Sequence, residues 1–184
     1  MYCFARGGSA PRLYDASHRN GESAMYATHN DLSISVREKV IERLQALLVD
    51  CLDLFTQLKQ AQWNVKGPHF VGLHEQFRKS ASACGRHCDI LAERIAALGG
   101  RADATARTVA ARSTLAEFPL DTGNGSVYVA AVGERLSAFT KSVRASIAPI
   151  TNCGDAATAA LLTEIACEDD RQLGFLDAHL QAES

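Results

Sequence analysis

Apolar side chains recur at steps of three and four from Val36 onward, at Val40, Leu44, Leu47, Cys51, Leu54 and Leu58. This is the repeat of one face of an α-helix. It predicts a helix continuing to about Val65, where Lys66-Gly67-Pro68 stops it. A second helix is expected from about Val71 to Leu98, ended by Gly99-Gly100. A third follows the turn residues Asp121-Thr122-Gly123-Asn124-Gly125 and runs to about Ile150. Asn152-Cys153-Gly154-Asp155 separates it from a fourth, Ala156 to Gln181. No segment alternates apolar and polar with the period of a half-buried strand, so the chain reads as all-α.

Two of the connections are short, which makes the first and second helices, and the third and fourth, antiparallel neighbours. Residues 100–125 form a long crossover. Within it, Thr114-Leu115-Ala116-Glu117 has the spacing of a capping box and places a short helix there. A four-helix bundle with one long crossover is the ferritin-like arrangement; an ordinary up-down bundle, with short loops throughout, does not need the crossover.

The second helix carries two faces. On a wheel of about 100° per residue, Leu73, Phe77, Cys84, Cys88, Leu91, Ile95 and Leu98 fall in one arc, the side expected to face the core. His74, Arg78, Ser82, Gly85, Asp89 and Glu93 form a separate stripe, while Lys79 and Arg86 lie beyond it on the solvated side. The stripe is small in its middle and ordered in sign, basic or imidazole at one end and acidic at the other. Two copies crossing antiparallel about a two-fold axis would match His74 with Glu93 and Arg78 with Asp89. The stripe therefore reads either as a self-complementary subunit interface or as a wet face. A metal site inside the bundle would take Glu-x-x-His pairs, which the sequence lacks, and the core arcs are expected to carry no carboxylate. His74, Asp89 and Glu93 have the ligand chemistry for iron between subunits. Cys84, Cys88 and the nearby His87 are expected to be packing residues.

The 184 residues are those of one domain, 47% apolar and 22% charged, with six cysteines and a net charge of −2. That balance gives no global attraction to nucleic acid or to a membrane surface. No apolar run reaches the length of a spanning helix, and the cysteines lack CxxC pairing, so a cytosolic chain with free thiols is expected. Residues 1–30 show no sustained periodicity and are rich in glycine and serine, the composition of a disordered extension preceding a domain at 31–184. The first 24 residues carry Arg6, Arg12 and Arg19 against Asp15 and Glu22, and no lysine, which is a poor match to a DNA-gripping tail.

The stretches KQAQWNVKGPHFVGLHEQF, DILAERIAALGG and AEFPLD, with the opening MYATHNDL and the ending FLDAHLQ, resemble the Dps family, the DNA-protection mini-ferritins of starved bacteria. The similarity runs from about Met25 to Leu180, which makes residues 1–24 an extension and Met25 an alternative start. The resemblance implies a cytoplasmic, nucleoid-associated dodecameric cage that oxidises Fe(II), preferentially with peroxide, and stores the ferric mineral. It places the ferroxidase site across the two-fold interface. Its pattern maps one ligand onto His74 and the partner subunit's acids onto Asp89 and Glu93. The remaining two positions hold Gln62, where the family has histidine, and Arg78, where it has aspartate. It also puts Trp63, expected to be mainly a packing residue, near the iron, and Glu134 at the three-fold entry pores. Glutamine is a poor iron ligand and an arginine never deprotonates. The resemblance thus implies an iron-storing cage with an altered ferroxidase, with two rivals. One is a ferroxidase-deficient structural subunit, alone or co-assembled with an active paralogue; the other is a DNA-compacting module.

Overall fold

A computed structural model describes residues 25–121 and 124–181. The chain runs α1 (Ile34–Asn64), α2 (Phe70–Ala97), α3 (Ala106–Arg112), α4 (Gly125–Asn152) and α5 (Ala156–Gln181). Among the described residues there is no strand, only an isolated bridge between Lys66 and Asn124 that ties the α1–α2 turn to the start of α4. None of these helices is long and apolar enough to cross a membrane. The architecture is all-α and ferritin-like, with α1 packed on α2, α4 packed on α5, and the two pairs joined face to face.

Each long helix stops where the backbone supplies a reason. The Ser33 side chain accepts the Val36 N–H at the head of α1. Asn124 accepts the N–H groups of Ser126 and Val127 and so caps α4. Gly99 ends α2 in the left-handed region, at φ 86°, while Gly100 N–H returns to the Ile95 carbonyl at 2.9 Å. The site has room only for glycine, because a Cβ at Gly99 would lie 2.6 Å from the Tyr26 carbonyl oxygen. Tyr26 N–H in turn donates to Gly99 O at 2.7 Å. Residues 25–33 thus run without regular secondary structure along the end of α2. The rest of the expected disordered extension, residues 1–24, lies outside the described residues.

The crossover holds a short helix, but not at the expected capping box. Thr105 caps α3, accepting the Thr108 N–H, and α3 ends at Arg112. Thr114 begins no helix. Its N–H and hydroxyl both donate to the buried Asp50 carboxylate of α1, at 2.8 and 2.7 Å. The carbonyls of Ala116 and Glu117 accept from Arg135 of α4. Long-range partners satisfy these backbone groups, so the local capping signal has nothing left to organise.

The core runs the length of the bundle through Leu44, Leu54, Leu58, Phe77, Leu91, Ile95, Phe139 and Leu162, each no more than 1% exposed. Burying a side chain of this size stabilises the fold by about 1.5–3 kcal/mol, so this arc of α2 and its partners fixes which side of α2 faces outward. The expectation of a carboxylate-free core fails: Asp50 of α1, Asp155 at the head of α5 and Asp169 within α5 are all buried, Asp169 at 3% exposure.

Candidate metal centre

The core arc of α2 is buried throughout, from Leu73 to Leu98. The stripe beside it faces out of the subunit. Arg78, Ser82, Asp89 and Glu93 are exposed, and His74 and Gly85 are half-buried. Asp89 and Glu93 stand one helical turn apart on the same side, close enough to share an ion. His74 does not join them. Fifteen residues separate it from Asp89, about 22 Å along the helix axis. In one subunit, therefore, the three candidate ligands occupy the two ends of one open face, and a single ion can touch both ends only if a second subunit supplies one of them.

Cations engage both substituted positions: Arg78 lies one helical turn from His74, and Lys59 of α1 holds Gln62. Gln62 is buried, and its Oε1 accepts from Lys59 Nζ at 2.6 Å. The amide oxygen that would have to serve as a ligand is thus already held by an ammonium. Arg78 makes a bidentate contact with Glu75 on its own helix, Nε to Oε2 and Nη2 to Oε1, both at 2.7 Å. The guanidinium holds the Glu75 carboxyl below its ordinary range. Both groups are exposed, so this pair orients Arg78 more than it stabilises the fold.

Trp63 differs from the sequence expectation. It is 66% exposed and packs into nothing in the subunit core; Lys59 Nζ lies 5.6 Å from its ring centroid. The adjacent residue Gln62 takes the inward position instead, because the helix turn that buries Leu58 and Ala61 rotates Trp63 outward. Phe70 and Val71, at 43% and 78%, extend the same apolar exposure toward His74, whose ring lies 5.6 Å from that of Phe70. Glu134 projects from α4 with its side chain 76% exposed and contacts Arg135 Nη1 at 2.8 Å.

A second constellation lies on the inner side of α2. His87 is 2% exposed. Its Nε2 lies 3.2 Å from Glu168 Oε2, and Nδ1 lies 3.5 Å from Asp169 Oδ1 without a hydrogen-bond partner. Asp169 also receives the Thr140 hydroxyl at 3.3 Å. Burial pushes the His87 imidazole down and the Asp169 carboxyl up to about 7. The two shifts share one cause: neither group gains enough from the other to hold its charge in the bundle interior. Beside them, Cys51 of α1 meets Cys84 and Cys88 of α2, with Sγ–Sγ distances of 3.6 and 3.4 Å. The cysteines are packed, as the arc indicated. Asp169 was missed, although it continues the apolar repeat Leu162, Ile165, Ala166, Leu173, Leu176 of α5. A carboxylate at a core register position was the available signal.

Residues 41–184 match the family model described as a ferritin-like domain. The DNA protection during starvation protein of Agrobacterium fabrum is 33% identical over 159 residues, covering 86% of this chain and 98% of that protein. The corresponding protein of Mycolicibacterium smegmatis is 28% identical, covering 82% of each. Among solved structures, the archaeal Dps homologue of Halobacterium salinarum superposes with a TM-score of 0.83 over 91% of this chain and 93% of that one, at 26% identity. The Mycobacterium smegmatis Dps superposes with a TM-score of 0.81 at 28% identity, over 85% and 94%. With fold, helix spacing and near end-to-end coverage agreeing, the chain belongs to the Dps family of ferritin-like proteins.

Proposed function

We propose that this protein is an iron-sequestering cage subunit of the Dps type whose iron-oxidising interface has been altered. The observation that carries this reading is the division of one open α2 face into an acidic end and a cationic end. The acidic end, Asp89 and Glu93, retains a pair of carboxylates able to hold Fe(II). The other end offers His74 with Arg78 one turn along the helix, while Lys59 of α1 occupies Gln62. Antiparallel two-fold pairing would bring the cationic end of each subunit to the acidic end of the other. The exposed Trp63, Phe70 and Val71 beside His74 supply apolar surface that such an interface would cover. The reaction itself is a transfer of one electron from each of two Fe(II) ions to a peroxide, with the carboxylates holding the substrate ions and the dodecameric shell retaining the ferric product.

The two cations also favour a second reading, in which Arg78 neutralises the partner subunit's Asp89 in place of iron. The chain would then be a structural cage subunit, alone or co-assembled with an active paralogue. Fe(II) oxidation by the size-verified assembly, with peroxide and separately with oxygen, distinguishes the two. Saturable oxidation above the protein-free rate, abolished in Asp89→Ala or Glu93→Ala, supports the altered ferroxidase. A rate equal to the protein-free control supports the structural subunit.

A further inference from the structure

We infer that Cys51, Cys84 and Cys88 form a second metal site, inside each subunit, for a thiophilic d10 cation, Zn(II) or Cu(I). The three sulfurs come from two helices and lie within 4.8 Å of one another at the centre of the bundle. Three thiolates around one ion at a metal–sulfur distance of 2.3 Å are about 3.8–4.0 Å apart. Sulfur separations of 3.6 and 3.4 Å from Cys51 to its two partners are close to that spacing, so small side-chain adjustments close the site without moving a helix. Cysteine packs in a core as a small hydrophobe, but three sulfurs from two helices meeting at one point form a donor set as well as a packing contact.

Ligand chemistry chooses the ion. Soft thiolates select Zn(II) and Cu(I), whereas the carboxylates and imidazole of the outer stripe suit iron. The two sets point to different faces of α2, so neither depends on the other, and this inference stands apart from the iron reading above. The triad is also continuous with polar groups. Asp169 lies near enough to Cys84 for its charge to be felt there, and His87 follows Cys84 by three residues on the same helix. His87 Nδ1 has no hydrogen-bond partner although the ring is buried, an unmet donor or acceptor in the same polar interior. Cys88, at 8% exposure, is the most accessible of the three residues and marks the side from which an ion would enter.

The test uses the full-length assembly with Cys3, Cys153 and Cys167 replaced by serine, which leaves the triad as the only thiols. The reduced protein is titrated anaerobically with Zn(II) against a chromophoric chelator, with Cu(I) against a Cu(I)-selective chelator, and with Co(II) as a spectroscopic probe. The expected result is one Zn(II) or Cu(I) per chain, a thiolate-to-cobalt charge-transfer band, and loss of both in Cys51→Ala. Failure of both ions to bind, or binding unchanged by Cys51→Ala, overturns the assignment. X-ray absorption on the loaded protein decides the matter even if Cys51→Ala does not assemble. A shell of three sulfurs near 2.3 Å supports the site, and a shell of nitrogen and oxygen alone overturns it.

Discussion

Replacing Asp169 by asparagine tests the electrostatics of the bundle interior directly. Asp169 is held at about 7 against an ordinary 3.8. Between those values the folded protein keeps a proton that the unfolded chain has lost, so stability falls as pH rises from about 4 to about 7. A displacement of that size corresponds to at most about 4 kcal/mol, and relaxation of the site would leave about 2–4 kcal/mol. Asparagine has the same shape, keeps an oxygen for Thr140, and offers an N–H to the unpartnered His87 Nδ1. Asp169→Asn should therefore match the parent near pH 4.5 and exceed it by about 2–4 kcal/mol at pH 8. His87 adds an opposite slope. Its imidazole is pushed down by burial, so stability is lost as pH falls below about 6.5, where the unfolded histidine takes up a proton. In the parent the two slopes oppose each other; in Asp169→Asn only the rise with pH remains. Urea titrations of both proteins across pH 4.5–8, at one fixed protein concentration, measure this, since assembly links stability to concentration. Destabilisation of Asp169→Asn by about 3–5 kcal/mol at pH 8 would mean that Asp169 is ionised against an imidazolium, and the reasoning would be refuted.

Other perturbations follow from named contacts. Asp155, 2% exposed, accepts from the Thr158 backbone and hydroxyl and from Arg94, so Asp155→Ala should cost about 3–5 kcal/mol by stranding Arg94 and uncapping α5, read as a lowered urea midpoint. Although burial opposes it, those hydrogen bonds hold the Asp155 carboxyl below its ordinary range. Its contribution is therefore present above the unfolded pKa and fades as pH falls through the folded one, which an acid titration of the same midpoint would show. Gly99→Ala forces a left-handed backbone and a 2.6 Å approach to Tyr26 O, and should lower stability by about 1–3 kcal/mol in thermal melts. Asp50→Ala releases Thr114, so proteolytic nicking should shift to residues 113–120, measured by mass spectrometry of limited digests. The pair Gln62→His and Arg78→Asp should raise peroxide-driven Fe(II) oxidation at least tenfold; no gain would remove the cationic end as the cause of the alteration.

How much of this was legible in the sequence depended on the range of the interaction that decides each feature. The four long helices follow from a repeat of three and four that every turn restates, and their ends from glycine, proline and capping residues within a few positions. α3 was expected, but its place was not. Thr105 and Thr114 are equally good local caps, and what separates them is Asp50, more than sixty residues before Thr114. The open α2 stripe was legible for the same reason as the helices, since burial of one arc fixes the direction of the next. Trp63 and Asp169 were not. Trp63 looks like core by composition, yet its register on α1 turns it outward. Asp169 looks like surface by composition, yet its register on α5 turns it inward. In both cases the helical position outweighed the chemical type.

That priority of register explains why α2 can carry two kinds of chemistry at once. A helix offers its neighbours distinct faces, and residues three or four apart repeat the same face while their immediate neighbours do not. Cys84 and Cys88 repeat the inward face; Asp89 follows Cys88 by one residue and already belongs to the stripe, with Glu93 one turn on. Soft sulfur ligands and hard carboxylate ligands are thus separated by a rotation of about 100° rather than by distance along the chain. A change on one side need not disturb the other: Arg78 projects from the outer face and Gln62 is held by Lys59, and neither enters the sulfur contacts of Cys51, Cys84 and Cys88. If the cations have weakened iron oxidation outside, the inner thiols do not repair it, because they are closed into the core, away from the open face where iron and peroxide would meet. On the proposed reading, iron chemistry would be restored on the stripe itself, by changes at Gln62 and Arg78, or be supplied by another subunit.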